Sequence, residues 1–184
     1  MISTGATGGG ASLVSRSKAG VSAVSVGSAV GAGTMDMLST AGNLLIDAGT
    51  NGLTFQGASS SIYFGSKANS AVTNATGNIS LKADSMSLSG ATIYANTYGT
   101  LAIEPYSSTF AGPITSTGWV LSTNLTGLTV GSTTNTANIT WASTNTINGP
   151  ISMYGGDVTL NSAIGTTNTS TGDVLLRGAD INSA

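Results

Sequence analysis

Short runs in which apolar residues alternate with small polar ones recur along the chain from residue 42 onward. Most of them place two apolar residues on either side of one intervening residue, and Gly, Asn, Asp or Ser lie at their ends. Because successive side chains of a strand point to opposite faces, this period of two predicts short strands with one buried face. The runs are 44–46, 53–55, 62–64, 79–81, 86–88, 92–94, 101–103, 128–130, 139–141, 151–153, 158–160 and 174–176.

Four of these runs share a longer pattern, in which Gly and then Asn or Asp precede two apolar residues that are separated by one position. The four copies are residues 42–47, 77–82, 156–161 and 172–177. Gly-Asn and Gly-Asp favour a tight corner, so each copy predicts a corner followed by two inward-pointing side chains. The nine-residue spacing of Ile46, Phe55 and Phe64 fits either two-residue hairpins or the corners of a parallel β-solenoid.

Three features favour the solenoid. Helix signals are absent, so parallel strands need helix-free crossovers; small residues flank the runs, as tight corners require; and the corner pattern repeats. We therefore predict an all-β parallel β-solenoid of about six coils over residues 42–182, with corner Asn side chains bonded between coils. The residues predicted to lie inside are Ile46, Phe55, Leu81, Ile103, Val130, Ile139, Ile151, Val158 and Val174.

Residues 1–41 differ from the rest of the chain and are predicted to form a separate low-complexity segment before the solenoid module of residues 42–184. The segment is rich in Gly, Ser, Ala and Val and has no aromatic residue. Gly8, Gly9 and Gly10 are typical of a flexible linker, whereas residues 21–26 alternate like a strand. Two interpretations stay open: a passive tail, or a strand that docks on the body or on a neighbouring copy.

Composition excludes several classes of function. Only 7% of the residues are charged, and there is no His and no Cys, which removes disulfides, thiolate chemistry and the commonest general base. Five basic residues are too few for a phosphate-binding stripe, so we expect no nucleic-acid partner. The hydrophobic fraction of 40% argues against disorder. No run approaches the roughly 18 apolar residues of a membrane span, and no signal peptide is recognisable, so we expect no membrane insertion.

The second half of the chain resembles the repeats of large bacterial filamentous-haemagglutinin-like adhesins. The residues that carry the resemblance are Leu-Thr-Val-Gly at 128–131, Asn-Thr-Ala-Asn-Ile-Thr at 135–140 and Ile-Asn-Gly-Pro-Ile-Ser-Met-Tyr-Gly-Gly-Asp-Val-Thr-Leu-Asn at 147–161. Residues 99–105 and 108–110 resemble the segment that precedes this block in such proteins. The likeness covers about residues 99–182 well, 42–98 loosely and 1–41 not at all. It implies a right-handed parallel β-helix with a structural or adhesive role at the cell surface, although this chain is far shorter than such adhesins and lacks their secretion domain.

The seven carboxylates are the candidates for catalysis, because β-helix enzymes that cleave polysaccharides use Asp and Glu clusters. Asp157 and Asp173 occupy the same place in the corner pattern and are predicted to stack in space. Their simpler role is to cap turns, and Arg177 is the one basic residue near them. Residues 155–158 lack the glycine pattern of a calcium-binding β-roll. We therefore predict no catalytic, cofactor-binding or metal site, and no cofactor.

Aromatic side chains are the remaining candidates, because exposed rings stack on sugars. Trp141 is expected to have a packing role instead, since it continues a buried run, and Tyr154 a structural one, since it precedes a Gly-Gly corner. The full set is Tyr63, Tyr94, Tyr98, Tyr106, Trp119, Trp141 and Tyr154.

Together these features predict a non-catalytic structural or adhesive module of a bacterial surface or secreted filament, self-associating end to end. The expected partners are further copies of the chain and a glycan or host-surface receptor. The expected location is secreted or cell-surface, with any export signal outside this chain. A virion component, such as a tail fibre or minor capsid protein, is the alternative. A β-helix polysaccharide-degrading enzyme is a third interpretation, which the low charge disfavours.

Overall fold

The computed structural model describes residues 2–3, 11–14, 24–27, 34–38, 41–56, 61–68, 73–88 and 92–183. All the pairings between its strands are parallel. The strands are β1 (Ile2–Ser3), β2 (Ala11–Val14), β3 (Val24–Gly27), β4 (Thr34–Leu38), β5 (Leu44–Gln56), β6 (Ser61–Gly65), β7 (Ile79–Ser87), β8 (Thr92–Asn96), β9 (Thr100–Glu104), β10 (Ile114–Ser116), β11 (Trp119–Leu121), β12 (Gly127–Gly131), β13 (Ile139–Trp141), β14 (Asn145–Ile147), β15 (Ile151–Tyr154), β16 (Asp157–Leu160), β17 (Ile164–Thr166), β18 (Val174–Arg177) and β19 (Asp180–Ser183).

The strands cycle through three faces as the chain advances. The first face holds β1, β4, β6, β8 and β11, followed by the β14–β17 pair; the second holds β2, β5, β7, β9, β12, β15 and β18; the third holds β10, β13, β16 and β19. β5 shifts register against β7 around Gly49, whose φ is +63°, so the second halves of β5 and β7 lead into the third face. A bridge between Leu88 and Ser116 continues that stack to β10. This is the arrangement expected of a parallel β-solenoid, and it excludes the hairpin alternative.

The core consists of rows of inward side chains that run from coil to coil. On the second face one row is Leu44, Ile79, Leu101, Leu128, Ile151 and Val174. Eight of the nine side chains predicted to lie inside are buried. The prediction for Val174 is wrong, because β18 is the last described strand of its face and leaves this side chain 46% exposed.

All twelve apolar runs fall in strands, with Leu88 in the bridge beyond the end of β7, but the sequence did not predict every strand. Runs 44–46 and 53–55 belong to one continuous strand rather than two. β10 and β14 lack the apolar pair because they turn a buried polar side chain inward, Ser116 and Asn145 respectively. Inward polar residues therefore explain why these two strands were missed, whereas β11 was missed although its inward Trp119 and Leu121 are both hydrophobic.

Polar corners bond between coils, as predicted. The Asn43 Oδ1 accepts a hydrogen bond from the Asn78 amide at 2.9 Å, and the Asn78 Oδ1 accepts one from the Thr100 amide at 3.0 Å. The prediction that Asp157 and Asp173 stack is wrong. Asp157 opens β16 on the third face and pairs with Asp180, whereas Asp173 precedes β18 on the second face. The corner pattern is thus used on two faces, which sequence alone does not distinguish.

Three described segments of residues 1–41 pair with strands of the body, and β1 pairs with one of those segments. β4 pairs with β6 and with β1, β2 pairs with the first half of β5, and β3 pairs with its second half. Of the strand-like run 21–26, residues 21–23 lie outside the described residues and residues 24–26 belong to β3. The proposed linker at Gly8, Gly9 and Gly10 also lies outside the described residues.

Candidate functional site

A column of outward side chains on the first face brings two tyrosines together. Strand register aligns Asp36 on β4 with Tyr63 on β6, Tyr63 with Tyr94 on β8, and Tyr94 with Val120 on β11. The residues on either side of Tyr63, Ile62 and Phe64, are fully buried, so the column points away from the core. The two tyrosines are only partly buried.

Tyr63 and Tyr94 form a face-to-face stack. Their ring centroids lie 4.5 Å apart and their planes differ by 5°. The ammonium of Lys67 lies 4.8 Å from the centroid of the Tyr63 ring, and it binds both carboxylate oxygens of Asp36 at 3.0 Å. A cation over a tyrosine face is an attractive arrangement, so Asp36, Lys67 and the two rings form one connected group.

A cleft of about 360 Å³ adjoins this group. Its apolar part includes Tyr63, Tyr94 and Val120, and its polar part consists of hydroxyl, amide and ammonium groups. The residues lining the cleft are Tyr63, Lys67, Ala68, Tyr94, Asn96, Val120, Leu121, Ser122 and Thr123. An apolar part combined with a few polar groups is typical of sites that bind small ligands.

The aromatic column stops at Val120. Strand spacing places side chains in such a column about 4.8 Å apart, so a third ring on β11 would stack on the free side of Tyr94. Valine is much shorter than tyrosine, and Val120 is 46% exposed. On the side that faces β11, the outer part of the Tyr94 ring is therefore not in contact with another side chain of the column.

The other aromatic candidates separate into core and surface. Trp119 and Trp141 are buried: the Trp119 ring lies 6.3 Å from that of Phe55, and the Trp141 Nε1 donates to the Ser143 carbonyl at 2.6 Å. The packing role predicted for Trp141 is confirmed. Tyr98 and Tyr106 are exposed but do not stack with each other or with another ring among the described residues.

Several carboxylates take part in local structure. The Asp47 Oδ1 accepts from the Gly49 amide at 2.9 Å across the bend of β5. The two oxygens of Asp84 accept from the amide and hydroxyl of Ser107 at 2.6 and 2.7 Å. Asp157 exchanges hydrogen bonds with the side chain of Asn138. Among the described residues no three acidic side chains form a group that could hold a metal ion.

Sequence reasoning named Tyr63 and Tyr94 but did not pair them, and it missed Lys67, Val120, Ser122 and Thr123. The reason is the unequal length of the coils: the register joins Tyr63 to Tyr94 and Tyr94 to Val120 across different sequence separations. No fixed period in the sequence reveals this column.

Comparisons with protein-family models, with curated proteins and with solved structures find no match to this chain. None of the described residues belongs to a helix long and apolar enough to cross a membrane.

Proposed function

We propose that this chain is a non-catalytic structural and adhesive module of a bacterial surface or secreted filament. Its solenoid is right-handed, because crossovers between parallel strands of one sheet are right-handed in nearly all proteins. The resemblance of residues 99–182 to filamentous-haemagglutinin-like adhesin repeats supports the same function. Nucleic acid is not its partner, because five basic residues and a net charge of −2 cannot neutralise a phosphate backbone. The membrane interior is not its partner either, because no run approaches the roughly 18 apolar residues of a span.

The observation that carries the filament part of the proposal is the edge formed by β18 and β19. Val174 continues the inward row of Ile151, and Ile181 continues that of Val158, yet both are nearly half exposed. On the opposite edge, β2 and β3 pair with β5 on one side. Since all strands run parallel, the β2–β3 edge of one copy matches the β18–β19 edge of another, and copies associate end to end.

The carboxylates support the non-catalytic part. Asp47 accepts a hydrogen bond within the bend of β5, Asp84 and Asp157 accept hydrogen bonds from neighbouring coils, and Asp36 pairs with Lys67. Asp157 and Asp173, the two carboxylates that the corner pattern predicts to stack, lie on different faces. A glycosidase needs two carboxyl groups facing one bond, and this pair does not provide them. The register partner of Asp157 is Asp180, but the Asp157 carboxylate is already bonded to the side-chain amide of Asn138.

A matched pair of variants tests the assembly. Val174→Asp places a negative charge in the inward row, at the edge that the second copy would cover. Leu175→Asp places the same charge at the neighbouring outward position, and both wild-type side chains are 46% exposed. Sedimentation velocity of the full chain should show association that grows with concentration, is abolished by Val174→Asp and is retained by Leu175→Asp. A monomeric wild-type chain at high concentration, or equal association of both variants, would contradict end-to-end assembly.

A further inference from the structure

We propose that the cleft beside Tyr94 binds a neutral sugar, with one pyranose ring stacked on the side of the Tyr94 ring that faces Val120. The proposal rests on the adhesive part of the function proposed above and names the receptor as a neutral glycan. It does not depend on filament formation.

The geometry of the column favours a flat ligand at this place. Tyr63 already covers one side of the Tyr94 ring at 4.5 Å, and the column continues to Val120 on the other. A ring that enters above Val120 occupies the position of the next aromatic side chain of the column. Both the C–H face of a pyranose and an aromatic ring fit this gap, because each is flat and apolar on its face.

The polar part of the cleft favours a sugar over an aromatic side chain. Asn96, Ser122 and Thr123 line the same cleft as the tyrosine rings and carry amide and hydroxyl groups, which both donate and accept. The Ser122 hydroxyl already accepts from the Asn124 amide at 3.1 Å and can still donate. A pyranose has hydroxyl groups around its edge that can bond to these groups, whereas the ring of a phenylalanine cannot. The apolar part of the cleft therefore matches the face of the sugar, and the polar part matches its edge.

The charge of the site favours a neutral sugar. Among the described residues that line the cleft, Lys67 alone carries a formal charge. Its ammonium binds both oxygens of Asp36 at 3.0 Å, so the positive charge is already balanced. An acidic sugar would have to compete with Asp36 for Lys67, and a neutral one does not.

The test measures binding of cellohexaose, maltohexaose and chitohexaose to the full chain by isothermal titration calorimetry. We expect at least one of them to bind with a Kd of about 1 mM, and Tyr94→Ala to weaken it about tenfold or more. Val120→Tyr completes the aromatic column, so it should abolish binding and raise the melting temperature, whereas Val120→Ala keeps the gap open and should retain binding. Tyr106→Ala removes an exposed tyrosine elsewhere and should bind as the wild type does.

Several results would overturn the assignment. One is equal affinity in the wild type and in a folded Val120→Tyr variant. Another is self-association of the wild type that Val120→Tyr abolishes without any sugar binding, which would make a second copy the occupant. If no hexasaccharide binds but the chain still binds to host cells, the site assignment fails while the adhesive function stands. If the chain binds neither a hexasaccharide nor host cells, the site assignment and the adhesive function both fail.

Discussion

The side-chain amide of Asn135 donates a hydrogen bond to the carbonyl oxygen of Tyr154 at 2.7 Å, across the boundary between two coils. Its Oδ1 accepts from the Phe110 amide at 3.1 Å, in the coil on the other side. The residue is 6% exposed and closes its own turn through the Ala137 amide at 3.2 Å. One buried amide thus joins three successive coils at a corner where the backbone ladders are interrupted.

Replacing Asn135 by Ala should destabilise the chain by about 2–3 kcal/mol, because it leaves buried backbone groups of neighbouring coils without partners. Urea unfolding followed by circular dichroism measures the difference. Asn148→Ala, at an exposed asparagine, is the control and should change stability by about 0.5 kcal/mol or less. Equal unfolding midpoints for the two variants would show that Asn135 does not hold the coils together.

The inward row of the second face allows a comparison of the same substitution at two neighbouring coils. Ile151→Asp should unfold the module, because the side chain is fully buried and an unpaired charge there costs several kcal/mol. Val174→Asp, one coil further along the row, should leave the fold intact. A soluble Ile151→Asp variant with the wild-type spectrum and melting temperature would show that the row is placed wrongly.

Gly131 is required by its backbone conformation. Its φ is +83°, and a Cβ atom at this position would collide with the carbonyl oxygen of Tyr154. Gly131→Ala should therefore lower stability by about 2 kcal/mol or more. Gly165 in β17 has open space around the corresponding position, so Gly165→Ala is the matched control. Thermal melts that coincide for the two variants would contradict the account of this corner.

The non-catalytic function predicts that the double substitution Asp157→Asn, Asp173→Asn leaves cell binding unchanged. Stability should change by at most about 1–2 kcal/mol, because asparagine favours the same turns and keeps a side-chain oxygen that can accept from Asn138 at position 157. Glycan cleavage is measured by reducing-end release from polysaccharide substrates. Cleavage by the wild type that disappears in the double variant would establish catalysis and overturn the proposal.

The sequence predicted the fold better than it predicted the site. Rows such as that of Ile151 can be predicted, because burial demands an apolar residue at every second position of a strand. Asn145 escaped prediction because its Oδ1 accepts from the Leu121 amide at 2.8 Å, where a polar side chain takes the place of a ladder carbonyl. The pairing of Tyr63 with Tyr94 escaped because it depends on register between coils of unequal length, which the local pattern does not determine.

The exposure of Val174 also depends on neighbouring strands and not on the local sequence pattern. The residue has every sequence feature of its buried neighbours in the row, yet burial also requires a strand on either side. Whatever covers β18 therefore decides whether Val174 belongs to a core. In the proposed filament, a second copy of the chain covers β18.

Electron microscopy of the purified full chain, combined with fibre diffraction of the aligned sample, tests this assembly most directly. The account predicts filaments one solenoid wide that lengthen with concentration, with a repeat of about 4.8 Å along the filament axis because the strands of successive copies continue one stack. Val174→Asp should give separate particles under the same conditions. Separate particles of the wild type at all concentrations, or filaments whose strand repeat does not lie along the axis, would contradict the account.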